Sequence, residues 1–246
     1  MENGISIGHH THWNLFGITF NADTIISMWL VSAVLIILAV AVKVIFMNQK
    51  SIEKPGRFQV LMEMLVEFLK SVPENSMGSA GIKYFPFIGT LFIFILFSNW
   101  FELIPATQIY KVFFERMLGS IPEFIPPTSD INTTAGLALF TIVAVQYYGI
   151  RERKLKYFKK FIKPIVIFLP LNIMEELAKP FSLAIRLFGN IFGKETIIVV
   201  LVSLVSFPII YPIPILMLSL LIGAIQAFVF SMLATVYVQS ATMGEH

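Results

Sequence analysis

The stretch LAIRLFGNIFGKE, residues 183–195, places an arginine, an asparagine, a lysine and a glutamate inside a long apolar run. An arginine at the centre of a bilayer costs about 2.5–3.5 kcal/mol on insertion scales, and its guanidinium keeps its proton inside proteins. Arg186 is therefore a fixed cation, and its surroundings have to compensate for its charge.

The composition is that of an integral membrane protein. Of 246 residues, 57% are hydrophobic and 13% are charged, against about a quarter charged in an ordinary globular chain. The length fits a single domain. There is no cysteine, which excludes disulfides, thiolate metal sites and a cysteine nucleophile.

Five apolar segments are each long enough to cross about 30 Å of hydrocarbon as helices. The fourth would be about 63 Å long as a helix, so it has to tilt, kink or break, with Pro170 and Pro180 as candidate bends. The predicted fold is an all-α integral membrane protein that ends in a long tilted helical hairpin. The predicted spans are 23–48, 82–104, 131–150, 164–205 and 209–242.

One further helix, 56–75, is predicted to lie on the membrane surface. Glu63, Glu67 and Lys70 recur at i, i+4 and i+7, which places the charges on one face and the apolar residues on the other. Such a helix is typical of the membrane interface. The fold therefore has five transmembrane helices plus one amphipathic interfacial helix.

Basic residues predict the orientation. The loop RERKLKYFKKFIK, residues 151–163, contains seven basic residues and one acidic residue, which favours the cytoplasmic side. The basic loop after the first span lies two crossings earlier and agrees with this assignment. The tail 1–22 is then outside and the C-terminus is cytoplasmic.

Arg186 shares a helical face with small and polar residues. At about 100° per residue, these residues fall within a roughly 100° arc around it. Small residues allow another helix to approach closely. An ion path and a structural role, as a buried ion pair or a snorkelling side chain, both remain open for Arg186. The other residues on this face are Ser182, Gly189, Asn190 and Gly193.

Other polar residues also have two interpretations. Glu195 lies about 13 Å from Arg186 along the helix and either lines a separate polar space or forms an interfacial charge pair with Lys194. Gln226, on one face with Ser219, is typical of a helix–helix hydrogen bond. Asp130 is predicted to cap a helix, with room for a second role.

The histidines of HHTHW, namely His9, His10 and His12, have no metal-ligand spacing, so solvated side chains and no metal site are expected. No P-loop pattern occurs, and the basic cluster is explained by topology rather than by nucleic acid. We expect no catalytic residue, no nucleotide site and no cofactor.

Four segments together resemble subunit a of F-type ATP synthases, nearest to bacterial and chloroplast forms. They are KPFSLAIRLFGNIFGKE (179–195), PPTSDINTT (126–134), PFIGTLFIFILFSNW (86–100) and IQAFVFSMLATVYV (225–238). Residue types, order and intervals all agree, and the resemblance covers most of the chain from about residue 55 onward.

The resemblance implies a non-catalytic stator that packs against a ring of c subunits and forms two offset half-channels for ions. Arg186 matches the family's essential arginine, which faces the ring. Some members carry a histidine where this chain has Ser219, so a histidine–glutamate relay is not supported. Asn190 and Gln226 match polar positions near the arginine. Glu195 matches the acidic residue of the outer half-channel, and Asp130 matches an acidic position near the mouth of that half-channel. Glu175 and Glu176 are the candidates for the cytoplasmic exit path.

The implied partners are the c-ring, the b-subunit peripheral stalk, the rest of the complex and membrane lipid, with H⁺ or Na⁺ as the transported ion. The implied location is the cell membrane, with the thylakoid as the alternative. Two other hypotheses stay open. One is a small secondary transporter with Arg186 as an anion site, although no repeats of the kind typical of transporters occur. The other is a structural subunit whose charges are merely paired.

Overall fold

A computed structural model describes residues 12–15, 18–48, 56–101, 126–158, 161, 166–204 and 212–243. This part of the chain forms a short β-hairpin followed by α-helices. The strands are β1 (His12–Leu15) and β2 (Ile18–Asn21), and the helices are α1 (Ala22–Asn48), α2 (Arg57–Met77), α3 (Phe85–Trp100), α4 (Ile131–Arg153), α5 (Leu169–Leu204) and α6 (Pro212–Met243). Short 3₁₀ turns occupy Gly78–Tyr84, Pro127–Ser129, Lys154–Phe158 and Val166–Phe168.

The hairpin is a departure from the all-α prediction. β1 pairs with β2 in antiparallel register, with Trp13 opposite Phe20. The strands are rich in β-branched and aromatic residues, which favour extended backbone, although the tail as a whole is polar. His12 lies in β1 opposite Asn21, whereas His9 and His10 fall outside the described ranges.

α2 runs from Arg57 to Met77 and ends at a glycine. Gly78 has a φ of +62° and donates its backbone N–H to the carbonyl of Glu74, a left-handed ending that glycine adopts without steric cost. The chain then turns through the 3₁₀ segment into α3. This turn lets α2 pack beside α3 and α6.

The core lies between α3, α4, α5 and α6. α3 packs against α6, and α4 packs against both α5 and α6. α1 meets this bundle near its own N-terminal end, where Thr24, Ser27 and Val31 are buried, while most of its later side chains are exposed. Fully buried core residues include Ile88, Ile95, Leu183, Leu187, Ala227, Phe230, Ala234 and Val238.

Within the described ranges, four helical stretches are long and apolar enough to cross a membrane. α5 is not among them, and it carries Glu175, Glu176, Lys179 and Arg186. The chain is a multi-pass α-helical membrane protein, and a crossing by α5 remains a prediction. The four stretches are Thr24–Val44, Arg57–Trp100, Ile131–Phe158 and Met217–Met243.

α5 is a single continuous helix of 36 residues, about 54 Å long at 1.5 Å per residue. Pro180 lies inside it and leaves the carbonyl of Glu176 without its usual helical donor. The helix continues through Pro180, so it does not break there, and Pro170 lies in its first turn. Its length exceeds the thickness of a bilayer core, which is about 30 Å.

Candidate functional site

Arg186 lies on the side of α5 that faces away from the bundle. Leu183, Leu187 and Ile191 recur every four residues and are buried against the neighbouring helices. Arg186 is one residue out of phase with Leu187 and is exposed. The residues predicted to share its face are also open: Ser182, Gly189 and Asn190 are exposed and Gly193 is half-buried.

We call Ser182, Arg186, Gly189, Asn190 and Gly193 the α5 strip. A Cβ atom added at Gly189 or at Gly193 would meet no other atom within 4 Å. Packing against the described part of this chain therefore does not explain why these positions are glycine. The α5 strip is a surface of small residues around a cation, and the described helices leave it largely open, with only the Asn190 side chain reaching α6.

Arg186 forms no ion pair within 4.0 Å with the side chains that the structure describes. The ion pairs present there join Lys83 to Glu152, and Lys179 to Glu175 and Glu176. The interpretation of Arg186 as half of a buried pair within this chain finds no support among them. A partner for its charge would have to lie outside the side chains that the structure describes.

Asn190 and Gln226 connect α5 to α6. The Asn190 Nδ2 donates a hydrogen bond to the Gln226 Oε1, so the predicted helix–helix hydrogen bond of Gln226 is confirmed. Gln226 is only 2% exposed, and its buried Nε2 has no acceptor among the residues that the structure describes. The amide therefore has a donor left over, directed into the interior next to the α5 strip.

A small cavity of about 10 Å³ lies beside this amide, lined by Asn99, Asn190, Ser219 and Gln226 together with apolar groups. A water molecule needs about 10–15 Å³ of such volume and two or more polar partners. The cavity meets both conditions. Ser219, which is buried, therefore lies within the polar group that contains Gln226.

Asn99 belongs to this group and was not among the predicted site residues. It is 4% exposed, accepts a hydrogen bond from the Thr128 hydroxyl at 2.9 Å and donates to the Gly223 carbonyl at 3.3 Å. A Cβ at Gly223 would lie 3.1 Å from the Asn99 Cβ, so glycine permits the close approach of α6 to α3. The sequence feature that could have identified Asn99 is its place as an asparagine near the end of an apolar run. Its hydrogen-bond partners do not follow from the sequence.

Asp130 caps α4 and also contacts α1. Its Oδ1 accepts the Asn132 backbone N–H at 2.9 Å, which confirms the predicted N-cap. Its Oδ2 accepts the Thr24 hydroxyl at 3.2 Å. A mostly apolar cleft of about 420 Å³ opens beside Asp130 and Thr24, so this buried carboxylate lies next to an accessible space.

The two glutamates of the predicted exit path have different environments. Glu176 is 15% exposed, accepts the Gln146 Nε2 at 2.7 Å and pairs with Lys179 at 3.0 Å. Glu175 is 70% exposed and lies 3.9 Å from the same lysine. Gln146 in turn accepts a hydrogen bond from the hydroxyl of Tyr157, which is buried. Sequence reasoning missed Gln146 and Tyr157.

Lys179 completes this second polar cluster, 5.7 Å from the ring centroid of Tyr237 on α6. The cluster joins α4, α5 and α6 about two turns before Arg186 on α5. Glu195 lies in α5, but its side chain falls outside the described residues, so its predicted place in the outer half-channel stays a prediction.

These observations define a class, namely a multi-pass helical membrane protein with buried polar clusters on either side of an uncovered cation. A protein-family model for the ATP synthase A chain matches residues 25–239. Because this match spans more than half of the chain, the chain belongs to the ATP synthase A chain family. It is a membrane-embedded subunit of ATP synthase and takes part in ion transport.

Proposed function

We propose that the chain is the ion-translocating stator of a rotary F-type ATP synthase. It forms two half-channels against the c-ring and couples the flow of protons or sodium ions to ring rotation. The observation that carries the proposal is the α5 strip, where Arg186 is exposed among small residues without an ion-pair partner in the described chain. A ring that presents carboxylates would supply both the missing covering surface and the missing anion.

The fixed charge of Arg186 has a definite effect on such a carboxylate. An opposite charge within about 4–6 Å favours the ionised form, so each ring carboxylate would release its ion as it passes Arg186. The same charge would repel a cation that moves directly from one half-channel to the other. The membrane potential contributes about 2.3 kcal/mol per charge per 100 mV, which drives the net flow.

The outer half-channel would begin at the cleft beside Asp130 and Thr24. From there the polar groups continue through Thr128 and Asn99 to the small cavity, and then to the Asn190–Gln226 hydrogen bond at the α5 strip. Ser219 would contribute its hydroxyl to this route. Glu195 would be the acidic residue of the route, as the family resemblance implies.

The inner half-channel would pass Glu176. Its carboxylate accepts a hydrogen bond from Gln146 and pairs with Lys179. It is therefore a positioned, partly desolvated hydrogen-bond acceptor rather than a solvated surface charge. Glu175 is mostly exposed and would assist only by attracting cations to the entrance.

Glu176→Gln should therefore reduce ion translocation more than Glu175→Gln does. The first change removes a partly buried ion pair and leaves Lys179 with only the exposed Glu175, at 3.9 Å, to compensate its charge. The second removes an exposed charge worth at most about 1 kcal/mol. ATP-driven ion uptake into vesicles measures both. Equal losses would remove Glu176 from its proposed position on the exit path.

Cross-linking tests whether the α5 strip faces a ring. The chain has no cysteine, so a single Ser182→Cys gives one defined thiol. With cysteines introduced along the ring-subunit helix, Ser182→Cys should form disulfides to the c-ring under mild oxidation. Val143→Cys, on the exposed outer face of α4, should form none. A secondary transporter or a subunit that does not face a ring would give no ring cross-link from either position.

The remaining partners follow from the same assembly. The b-subunit peripheral stalk would hold the stator against the torque of the ring, with the N-terminus outside and the C-terminus in the cytoplasm. The nucleotide chemistry would belong to other subunits of the complex. The transported ion, H⁺ or Na⁺, would be bound mainly by the ring, so the ring would determine which of the two is carried.

A further inference from the structure

The end of α4 carries a surface that the ion path does not use. Exposed apolar side chains run along the outer face of the helix, with Phe140 at 59%, Val143 at 59% and Tyr147 at 57% exposure. This stripe leads into exposed cations and exposed apolar residues in and after the last turn. We call that second group the α4 terminal patch: Ile150, Arg151, Lys154, Leu155, Lys156 and Phe158.

The α4 terminal patch is held in place. Lys154 has a φ of +51° and donates its N–H to the Ile150 carbonyl, which ends α4 and starts a 3₁₀ turn. Tyr157, in this turn, is 1% exposed, packs over Gly149 and bonds to Gln146. The turn is thereby anchored to α4, while Leu155 remains 84% exposed and Phe158 52% exposed.

The charge of the patch is strongly positive and is not neutralised locally. Glu152 is the only acidic residue in 151–163, and it pairs with Lys83 at 2.8 Å. In the part of the chain that the structure describes, Arg151, Lys154 and Lys156 have no acidic partner within 4.0 Å. A cationic surface with exposed apolar side chains, continuous with an exposed apolar stripe, is complementary to an amphipathic anion.

We propose that the α4 terminal patch is a binding site for an anionic phospholipid of the leaflet on that side. The phosphate of the headgroup would lie against Arg151 and Lys156, and an acyl chain would follow Phe140, Val143 and Tyr147 along α4. Leu155 and Phe158 would insert between neighbouring lipids at the level of the headgroups. Basic juxtamembrane segments attract anionic lipids in this way, and the anchored turn makes the site a defined one.

Photo-cross-linking in the assembled complex tests this site. Phe158→p-benzoylphenylalanine keeps an aromatic side chain at the patch, and the same replacement at Phe140 samples the middle of the stripe. The complex is reconstituted in phosphatidylcholine with a minority of phosphatidylglycerol, and mass spectrometry identifies the adducts after illumination. We expect phosphatidylglycerol to be enriched over its bulk fraction at 158 and, because an acyl chain of the same lipid would lie along the stripe, at 140 as well.

Removing charge should remove the enrichment. Adding Arg151→Gln and Lys156→Gln to the 158 probe should lower it by up to about fivefold for each charge removed. Arg57→Gln, an exposed cation on α2, should leave it unchanged. Lipid adducts at the bulk ratio, or adducts to another subunit in place of lipid, would overturn the proposal. Neither result bears on Arg186, so the site and the proposed ion path are tested separately.

Discussion

Replacing Arg186 with alanine should abolish ATP-driven ion uptake into inside-out vesicles while the ATP synthase complex stays assembled. The guanidinium would act on a ring carboxylate at close range. At about 4 Å and an effective dielectric constant of about 20, the attraction is about 4 kcal/mol, equivalent to about a thousandfold change in the ionisation equilibrium of that carboxylate. Without it the carboxylate would retain its ion as it passes the stator, and the ring would not discharge.

Two further variants make the result specific. Arg186→Gln keeps the polarity and much of the length of the side chain but removes the charge, and it should fail like the alanine variant. Arg57→Ala removes an exposed cation far along the chain from the α5 strip and should retain uptake. Pull-down of the whole complex is the assembly control. Uptake at the parental level in an assembled Arg186→Ala complex would mean that the arginine is structural.

The helices could be predicted well because their lengths and ends depend on residues that are close together in the sequence. Apolar runs of spanning length predicted α1, α3, α4 and α6, and Asp130 predicted the start of α4 through its capping chemistry. Gly78 ends α2 by its backbone freedom alone. The paired strands 12–15 and 18–21 were missed because their aromatic and β-branched residues lie in a tail whose polarity dominated the interpretation.

The site was predictable only as a set of residue types. Arg186, Asn190 and Gln226 are conspicuous as polar residues in apolar helices, and helical periodicity grouped the α5 strip. Tertiary pairings do not follow from periodicity. The contact of Asn99 with Thr128 and that of Gln146 with Glu176 join residues 29 and 30 positions apart in the sequence.

The same limit explains the two neighbouring glutamates. Adjacent residues on a helix point about 100° apart, so Glu175 and Glu176 cannot share one environment. Which of them is the less exposed depends on where α4 lies, and that position does not follow from the sequence. Only the fold shows that Glu176 meets Gln146 while Glu175 is mostly exposed.

Gly189→Leu should disable the complex without destabilising the chain. Glycine in a helix costs about 1 kcal/mol relative to good helix formers, and a Cβ at this position meets no other atom within 4 Å. The purified chain should therefore unfold at the same temperature or higher. A leucine on the α5 strip would instead hold the ring away from Arg186, so ring association and ATP-driven ion uptake should be lost together.

Gly223→Leu is the matched contrast, because it places the same side chain against the chain's own helices. A Cβ at Gly223 would lie 3.1 Å from both the Asn99 Cβ and the Trp100 Cδ1, and such overpacking typically costs about 1–3 kcal/mol. This variant should lower the unfolding temperature of the purified chain, which Gly189→Leu should not do. Full coupled activity in the Gly189→Leu complex would show that the α5 strip is not the surface on which the ring turns.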